Sequence, residues 1–443
     1  MIQKMTLIGM TLLLIVACDT TTNDPQIEGD FKVTIENIAE AKSYSASGAF
    51  NTPVGASNPA PIFPGEAYEV SFSAAPGSKL SFATMFVQSN DLFYAPDGEG
   101  IDLYDSMGEQ VVGDVTSQIM LWDAGSELNQ EPGLGADQAP RQAGANTGAV
   151  DTDNTVRLAS DDFSNLPAVT DVVQVSLSSN GATAFTVRIE NVSSSNTLMT
   201  SDGGSTAVPL APGVYVVHSG SDVLFAAGQA DYGYGLAAIA EDGDPTDLSA
   251  MIAMDTGVTE LYAPGVYVVH EAANPLFTPD AADRGEGLED LAEDGDPSSL
   301  AATLSASEMY STSGAFNTPT GAAGPGALAP GATYEFVISA MEGDYLSLAT
   351  MLVQSNDLFV APSGMGIALF NNGAAMTGDV TSYLSIWDAG TEVNETPGIG
   401  LNQAPRQAGA GAGADEMGIV QMVDDMYDYP TLSEIIRVTI TEI

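Results

Sequence analysis

Five acidic residues return at corresponding places in two stretches of the chain: Glu69, Asp91, Asp114, Asp123 and Glu127 reappear as Glu335, Asp357, Asp379, Asp388 and Glu392. Others do not return. Asp97, Glu99, Asp102 and Asp105 face Ser363, Met365, Ala368 and Asn371, so those charges are dispensable to the architecture and serve solvation. A retained carboxylate has a local task. Calcium suits irregular acidic loops, because it takes about six to eight oxygens from carboxylates, amides and carbonyls; Asn90, Asn129, Asn356 and Asn394 could add amide oxygens. The competing reading is structural. Asp123 and Glu127 would cap a turn by accepting backbone amides, while the repeated Arg141 and Arg406 neutralise a neighbouring carboxylate. Paired carboxylates can also hydrolyse glycosides, although a motif present twice in one chain suits a structural ion better than a single active site.

Other chemistries have fewer parts to work with. The only histidines, His218 and His270, sit at equivalent strand ends. Neither has a neighbouring Cys or second His, so the spacing gives no support for zinc, and outside the stretch that carries them, about 210–304, neither large repeat has an imidazole for a Ser/His/Asp hydrolase. Trp122 and Trp387 follow β-periodic neighbours and read as core residues.

The elements that position these residues repeat as well. Ser47-Gly48-Ala49-Phe50-Asn51-Thr52-Pro53 returns at 313–319, and Val87-Gln88-Ser89-Asn90-Asp91-Leu92-Phe93 returns at 353–359. The phrases Trp122-Asp123-Ala124-Gly125 and Gln138-Ala139-Pro140-Arg141-Gln142 return at 387–390 and 403–407. The leading strand 31–37 has a counterpart in 185–191. Two tandem domains follow, 31–180 and 185–443. The second contains a smaller duplication at about 210–304, in which Ala211-Pro212-Gly213-Val214-Tyr215-Val216-Val217-His218 recurs at 263–270 and Ala240-Glu241-Asp242-Gly243-Asp244-Pro245 at 292–297. Each cassette reads as a Pro-Gly turn, a strand and two short helices, with Asp244-Pro245 and Asp296-Pro297 at N-cap and first-turn positions. The first domain has no such cassette. Elsewhere the period is two: Phe31, Val33 and Ile35 share a face, as do Tyr68, Val70 and Phe72, and Ile436, Val438 and Ile440 form a closing strand. The fold class expected is all-β, two antiparallel sandwiches with helices confined to the cassettes.

Ser89-Asn90-Asp91-Leu92-Phe93, the stretch from Leu121 through Trp122-Asp123-Ala124-Gly125 to Glu127, and Leu291-Ala292-Glu293-Asp294-Gly295-Asp296-Pro297 resemble the spondin N-terminal domain of F-spondin, mindin and many bacterial envelope proteins. The resemblance implies a C2-like β-sandwich, a bound calcium ion and roles in adhesion. It places the ion on Asp91, Asp123 and Glu127 in the first domain and on Asp357, Asp388 and Glu392 in the second.

The amino terminus reads as an address. Lys4 precedes an apolar run, 5–17, too short to span a bilayer comfortably, and Ile15-Val16-Ala17-Cys18 resembles the bacterial lipobox. Residues 1–18 are then a lipoprotein signal and 19–30 a polar linker. Cys18 is the only cysteine, so no disulfide forms within the chain. Ten basic against 59 acidic side chains give a formal charge of −49. That sign excludes the counterion-release mode of nucleic-acid binding and disfavours docking on anionic lipid; it fits a saline habitat, where salt screens self-repulsion. The expectation is a lipid-anchored protein of the bacterial cell envelope, a calcium-stabilised binding or adhesion module with an envelope or extracellular protein or glycan as partner, and not an enzyme. The alternatives are a passive envelope scaffold and a carboxylate-based hydrolase. An exposed apolar or aromatic patch around the cassette loops would favour the binding module, and a uniformly acidic surface the scaffold.

Overall fold

The computed structural model describes residues 27–443; Cys18 and the signal segment lie outside them. The chain is mostly β, in antiparallel sheets that pack face to face. Strand Glu28–Asn37 starts within the stretch expected to be linker, so the tether is shorter at that end by Glu28, Gly29 and Asp30.

Strand pairing divides the chain differently from the order of its repeats. One seven-stranded sheet runs Tyr44–Phe50, Leu210–His218, Lys79–Phe86, Leu92–Pro96, Ile119–Asp123 and Arg157–Leu158, with Ile101–Asp102 paired to its side. It faces a four-stranded sheet of Ala67–Ser73, Ala184–Asn191, Val173–Ser179 and Gly113–Asp114. The second pair repeats this plan. Its seven-stranded sheet holds Thr312–Phe316, Tyr262–His270, Tyr345–Leu352, Leu358–Pro362, Leu384–Asp388 and Gln421–Met422, with Ile367–Ala368 at the side. Its four-stranded sheet holds Thr333–Met341, Glu28–Asn37, Ile436–Glu442 and Gly378–Asp379.

The expected boundaries, 31–180 and 185–443, are therefore corrected. The first sandwich spans about 44–255, inserted between the opening strand of the second and the rest of it. Each sandwich owns one cassette, and neither lacks one. Chain connectivity gives the reason. Val173–Ser179 and Ala184–Asn191 are joined by a short turn and pair in register from Val173↔Asn191 to Ser179↔Phe185. Closing so short a loop costs little entropy, so the hairpin holds 184–191 in the first sandwich. Glu28–Asn37 has no such neighbour and pairs with distant strands, Phe31↔Ile338 on one side and Phe31↔Glu442 on the other.

Each seven-stranded sheet is covered on both faces, and its strands read accordingly as near-continuous apolar runs; every residue of Lys79–Phe86 after Lys79 is buried. The inner face packs Leu80, Phe82, Tyr94 and Leu121 against Tyr68, Val175, Phe185 and Ile189 of the opposite sheet. The outer face packs Val214, Val216, Phe93 and Trp122 against the cassette helices α1 (Leu236–Asp242) and α2 (Thr246–Met254). In the second sandwich α3 (Leu288–Asp294) and α4 (Ser298–Ser305) cover Val266, Val268, Phe359 and Trp387. Full burial of one such side chain contributes about 1.5–3 kcal/mol. Two cassette details differ from expectation. The Ala-Pro-Gly lies inside the strand as an irregularity of register between Leu210 and Gly213, and a Cβ on Gly213 would strike the carbonyl oxygen of Ala83. Pro245 and Pro297 are themselves the N-caps, one position later than expected, and Asp244 accepts from the Thr246 amide and hydroxyl.

The pairing makes a prediction. A fragment of residues 44–255 should unfold cooperatively on its own, whereas 31–180 should not, because it lacks Leu210–His218 and Ala184–Asn191, each flanked by strands on both sides in its sheet. Thermal unfolding of the two fragments decides it; a cooperative transition for 31–180 would overturn the assignment.

Candidate metal centre

The retained carboxylates cluster because two adjacent strands begin and end together. Leu92 pairs with Asp123 and Leu358 with Asp388, so the residue before one strand, Asp91 or Asp357, meets the last residue of the next. The following Ala-Gly turn closes over them. Gly125 and Gly390 both have φ +68, and a side chain there would also meet backbone, at 2.6 Å from the Thr155 carbonyl and 2.5 Å from the Ile419 amide. Asp91 Oδ2 accepts from the amides of Ser126 at 2.8 Å and Glu127 at 3.0 Å. Asp357 Oδ2 accepts from those of Thr391 at 2.8 Å and Glu392 at 3.1 Å. The other oxygen of each, Asp91 Oδ1 and Asp357 Oδ1, is buried without a hydrogen-bond partner. Asp123 and Asp388 accept the amides of Gly125 and Gly390 at 2.7 Å, and the side-chain nitrogens of Asn129 and Asn394 at 2.7 and 2.8 Å. The turn capping is thus real, and these asparagines offer nitrogen where oxygen was expected.

The two copies differ in how they meet the remaining charge. Asp123 pairs in register with Arg157, whereas Asp388 pairs with Gln421. The Arg157 guanidinium lies 3.1 Å from Asp123, 2.8 Å from Asp151 and 2.6 Å from Asp162. Burial works against its charge, but Asp162, Asp151 and Asp123 more than offset that and raise its pKa. In the second sandwich Glu416 stands where the first has Asp151, since Glu392 bridges Asp415 as Glu127 bridges Val150. Asp357, Asp388 and Glu416 each offer an oxygen within 4.8 Å of the others. None of the three has an ion-pair partner among the described residues. Burial and then Asp388 push the Asp357 carboxyl up to about 7. Asp388 is raised by burial, against the Gly390 and Asn394 bonds that lower it, and Glu416 by burial and then Asp388. This cluster could hold a metal ion. Three carboxylates, one with an orphaned buried oxygen, are hard oxygen donors.

Glu127 and Glu392 belong to a different neighbourhood. Their backbone amides cap the aspartates, but Glu127 spends its own oxygens on the Gly148 amide at 2.7 Å and on Asn90 at 3.2 Å. Both Glu392 oxygens are buried without a hydrogen-bond partner, and the charge of Glu392 reaches Glu293 on α3, which burial above all raises to about 7. Arg141 and Arg406 also depart from expectation, for neither forms an ion pair with a carboxylate among the described residues, although the charge of Glu395 reaches Arg406. Arg141 donates to Gly135 O, Gln88 and Gln138, and Arg406 to Gly400 O, Gln354 and Gln403. The other repeated acids have structural tasks: Asp114 and Asp379 accept the Thr116 and Thr381 amides, and Glu69 and Glu335 meet Arg188 and Lys32.

Arg157, Glu416 and Gln421 were not legible as site residues. Five positions separate Glu416 from Gln421 but six separate Asp151 from Arg157, and this one-residue offset breaks a simple alignment of the copies. The histidines acquire a partner that their spacing did not reveal. His218 Nε2 lies 2.9 Å from Ser81 Oγ, with Nδ1 against the Gly220 carbonyl, and His270 and Ser347 repeat the pair. Both serines are buried, at 5% and 0% exposed, and burial lowers both imidazole pKa values. These pairs satisfy interior polar groups. Trp122 and Trp387 are core residues as expected, donating to Ala95 O and Ala361 O. No family model and no curated protein matches the chain.

Proposed function

We propose that this protein is a binding or adhesion module of the spondin type, two C2-like sandwiches anchored to the bacterial envelope through a lipidated Cys18, with calcium stiffening the loops of the second sandwich. The observation that carries the choice of a binding module over a passive scaffold is a cluster of exposed aromatic and thioether side chains on the first cassette: Tyr232, Tyr234, Met251 and Met254 are 39, 52, 37 and 63% exposed and lie together. A scaffold has no need of such a patch, whereas recognition surfaces do. The calcium part is supported by Asp357, Asp388 and Glu416, which no basic side chain among the described residues pairs with.

Calcium titrated calorimetrically into the metal-free chain tests that part. One binding event is expected, abolished by Asp388→Asn and retained in Asp123→Asn. An ion bound only by the folded state adds about 2.7 kcal/mol at a hundredfold excess over Kd, so the melting transition of the second sandwich should rise with it. Absence of binding heat in the parent would reject the calcium reading. For the module itself, capture of a partner from envelope or matrix extracts should weaken on chelation; capture of nothing, with or without calcium, would leave the scaffold.

A further inference from the structure

The exposed residues of the first cassette line a cavity of about 720 Å³, bounded by Tyr44, Tyr232, Tyr234, Asp222, Asp255 and Met251. Three tyrosines converge there. The rings of Tyr232 and Tyr234 stand 6.4 Å apart, inclined at 54°, and both line the cavity. Burial first, then Asp255, Tyr232 and Tyr234, raise the pKa of Tyr44, and all four side chains line this one cavity. Beyond Tyr234 and Met251 lies a second cavity of about 610 Å³. It contains Asp231, one of whose carboxylate oxygens is buried without a hydrogen-bond partner.

We propose that this cavity binds a small organic cation, a quaternary ammonium or alkylated amine. The proposal rests on reading the chain as a binding module and names the chemistry of one ligand. Aromatic faces present negative potential to a cation, and the attraction is strongest where the cation is desolvated. The carboxyl groups of Asp222 and Asp255 belong to the same lining, and acidic side chains favour a cation over a neutral ligand. The chain supplies little to neutralise them: Lys42, two residues before Tyr44, is tied to Glu40 and to the Met254 carbonyl.

The second cassette is an internal control. Its scaffold is the same, yet Tyr232 corresponds to Arg284, Tyr234 to Glu286, Met251 to Thr303, Asp222 to Asn274 and Asp255 to Ser307. The Tyr232 hydroxyl donates to the Asp222 carbonyl at 2.9 Å, and Arg284 reaches the matching Asn274 carbonyl at 3.4 Å. The fold therefore needs only a donor at that point. It does not require the aromatic pair or two aspartates, and where the pair is missing the chain places a cation of its own.

Choline and tetramethylammonium titrated into the full, calcium-loaded chain test the inference, with 3,3-dimethylbutanol as the neutral isostere of choline. Both cations are expected to bind and the alcohol to bind at least about tenfold more weakly, a difference equivalent to 1.4 kcal/mol. Tyr234→Ala should lower cation affinity by about tenfold and Tyr234→Phe should retain it, because the ring face and not the hydroxyl makes the contact. Equal affinity for alcohol and cation would make the cavity an apolar groove and overturn the proposal, as would absence of cation binding. Neither result would touch calcium-dependent capture of a macromolecular partner, so the broader reading fails or stands separately. Unchanged thermal unfolding of Tyr234→Ala, expected for a side chain this exposed, confirms that lost binding is not lost fold.

Discussion

Arg157→Gln, which gives the first sandwich the residue type found in the second, is expected to destabilise the first sandwich by about 3 kcal/mol in metal-free solution. Removing one partner of a buried ion pair strands the other charge, at a cost of about 3–5 kcal/mol; the lower figure applies because Asp162, one of the three partners, is 37% exposed. Asp123 carries most of the effect. Its side chain is fully buried and would keep only the Gly125 amide and Asn129 as partners. Burial already raises the pKa of this carboxyl in the presence of the guanidinium, and without Arg157 the rise should be larger. Calcium is expected to restore much of the loss, since Asp91, Asp123 and Asp151 then form the same kind of unneutralised set as Asp357, Asp388 and Glu416. The reciprocal change, Gln421→Arg, should stabilise the second sandwich without metal and erase its response to calcium. Thermal unfolding of both variants with chelator and with calcium decides the matter. An unchanged first-sandwich transition for Arg157→Gln in chelator would show that the guanidinium balances nothing there.

This asymmetry explains which parts of the site could be seen in the sequence. Asp91, Asp123, Asp357 and Asp388 were found because duplication preserves what the turn geometry demands: each accepts a backbone amide through a side-chain oxygen held at that register. Glu127 and Glu392 recur for the same reason, but where their side chains turn depends on what closes over the loop. Here Gly148 and Gly413 pack on these glutamates. Arg157 and Gln421 were missed because duplication alone ranks retained residues above replaced ones, whereas the functional difference lies in the replacement. The strands themselves were readable from period two, and Phe31, Val33 and Ile35 are fully buried as that alternation required. Their pairing was not. Phe31–Asn37 and Phe185–Asn191 carry nearly the same pattern, so either would satisfy either sheet, and only the short hairpin connection favours one arrangement.

Glu260→Val should stabilise the second sandwich by up to roughly 3 kcal/mol at pH 8 and by nothing near pH 4. Glu260 precedes strand Tyr262–His270 and is 7% exposed; its carbonyl accepts from Asn37 at 2.9 Å. The first sandwich keeps the backbone contact with a different side chain, for the Val208 carbonyl accepts from Asn191 at 2.9 Å and Val208 is fully buried. The architecture thus uses the carbonyl and has no use for the carboxylate. Burial alone raises that carboxyl from 4.5 to about 7, a gap worth roughly 3 kcal/mol at 1.36 kcal/mol per pH unit. The sign follows from proton binding. Between about pH 4.5 and 7 the folded state holds a proton that the unfolded state has lost, so stability falls as pH rises through this window and the full cost is present above it. Below 4.5 both states are protonated and the penalty vanishes. Denaturant unfolding of parent and variant at pH 4, 6 and 8, in saturating calcium so that Asp357 and Asp388 are held ionised, should show the difference growing with pH. A constant difference would mean that the valine acts by packing alone, and a decrease with pH would mean that Glu260 gains a cationic partner in solution.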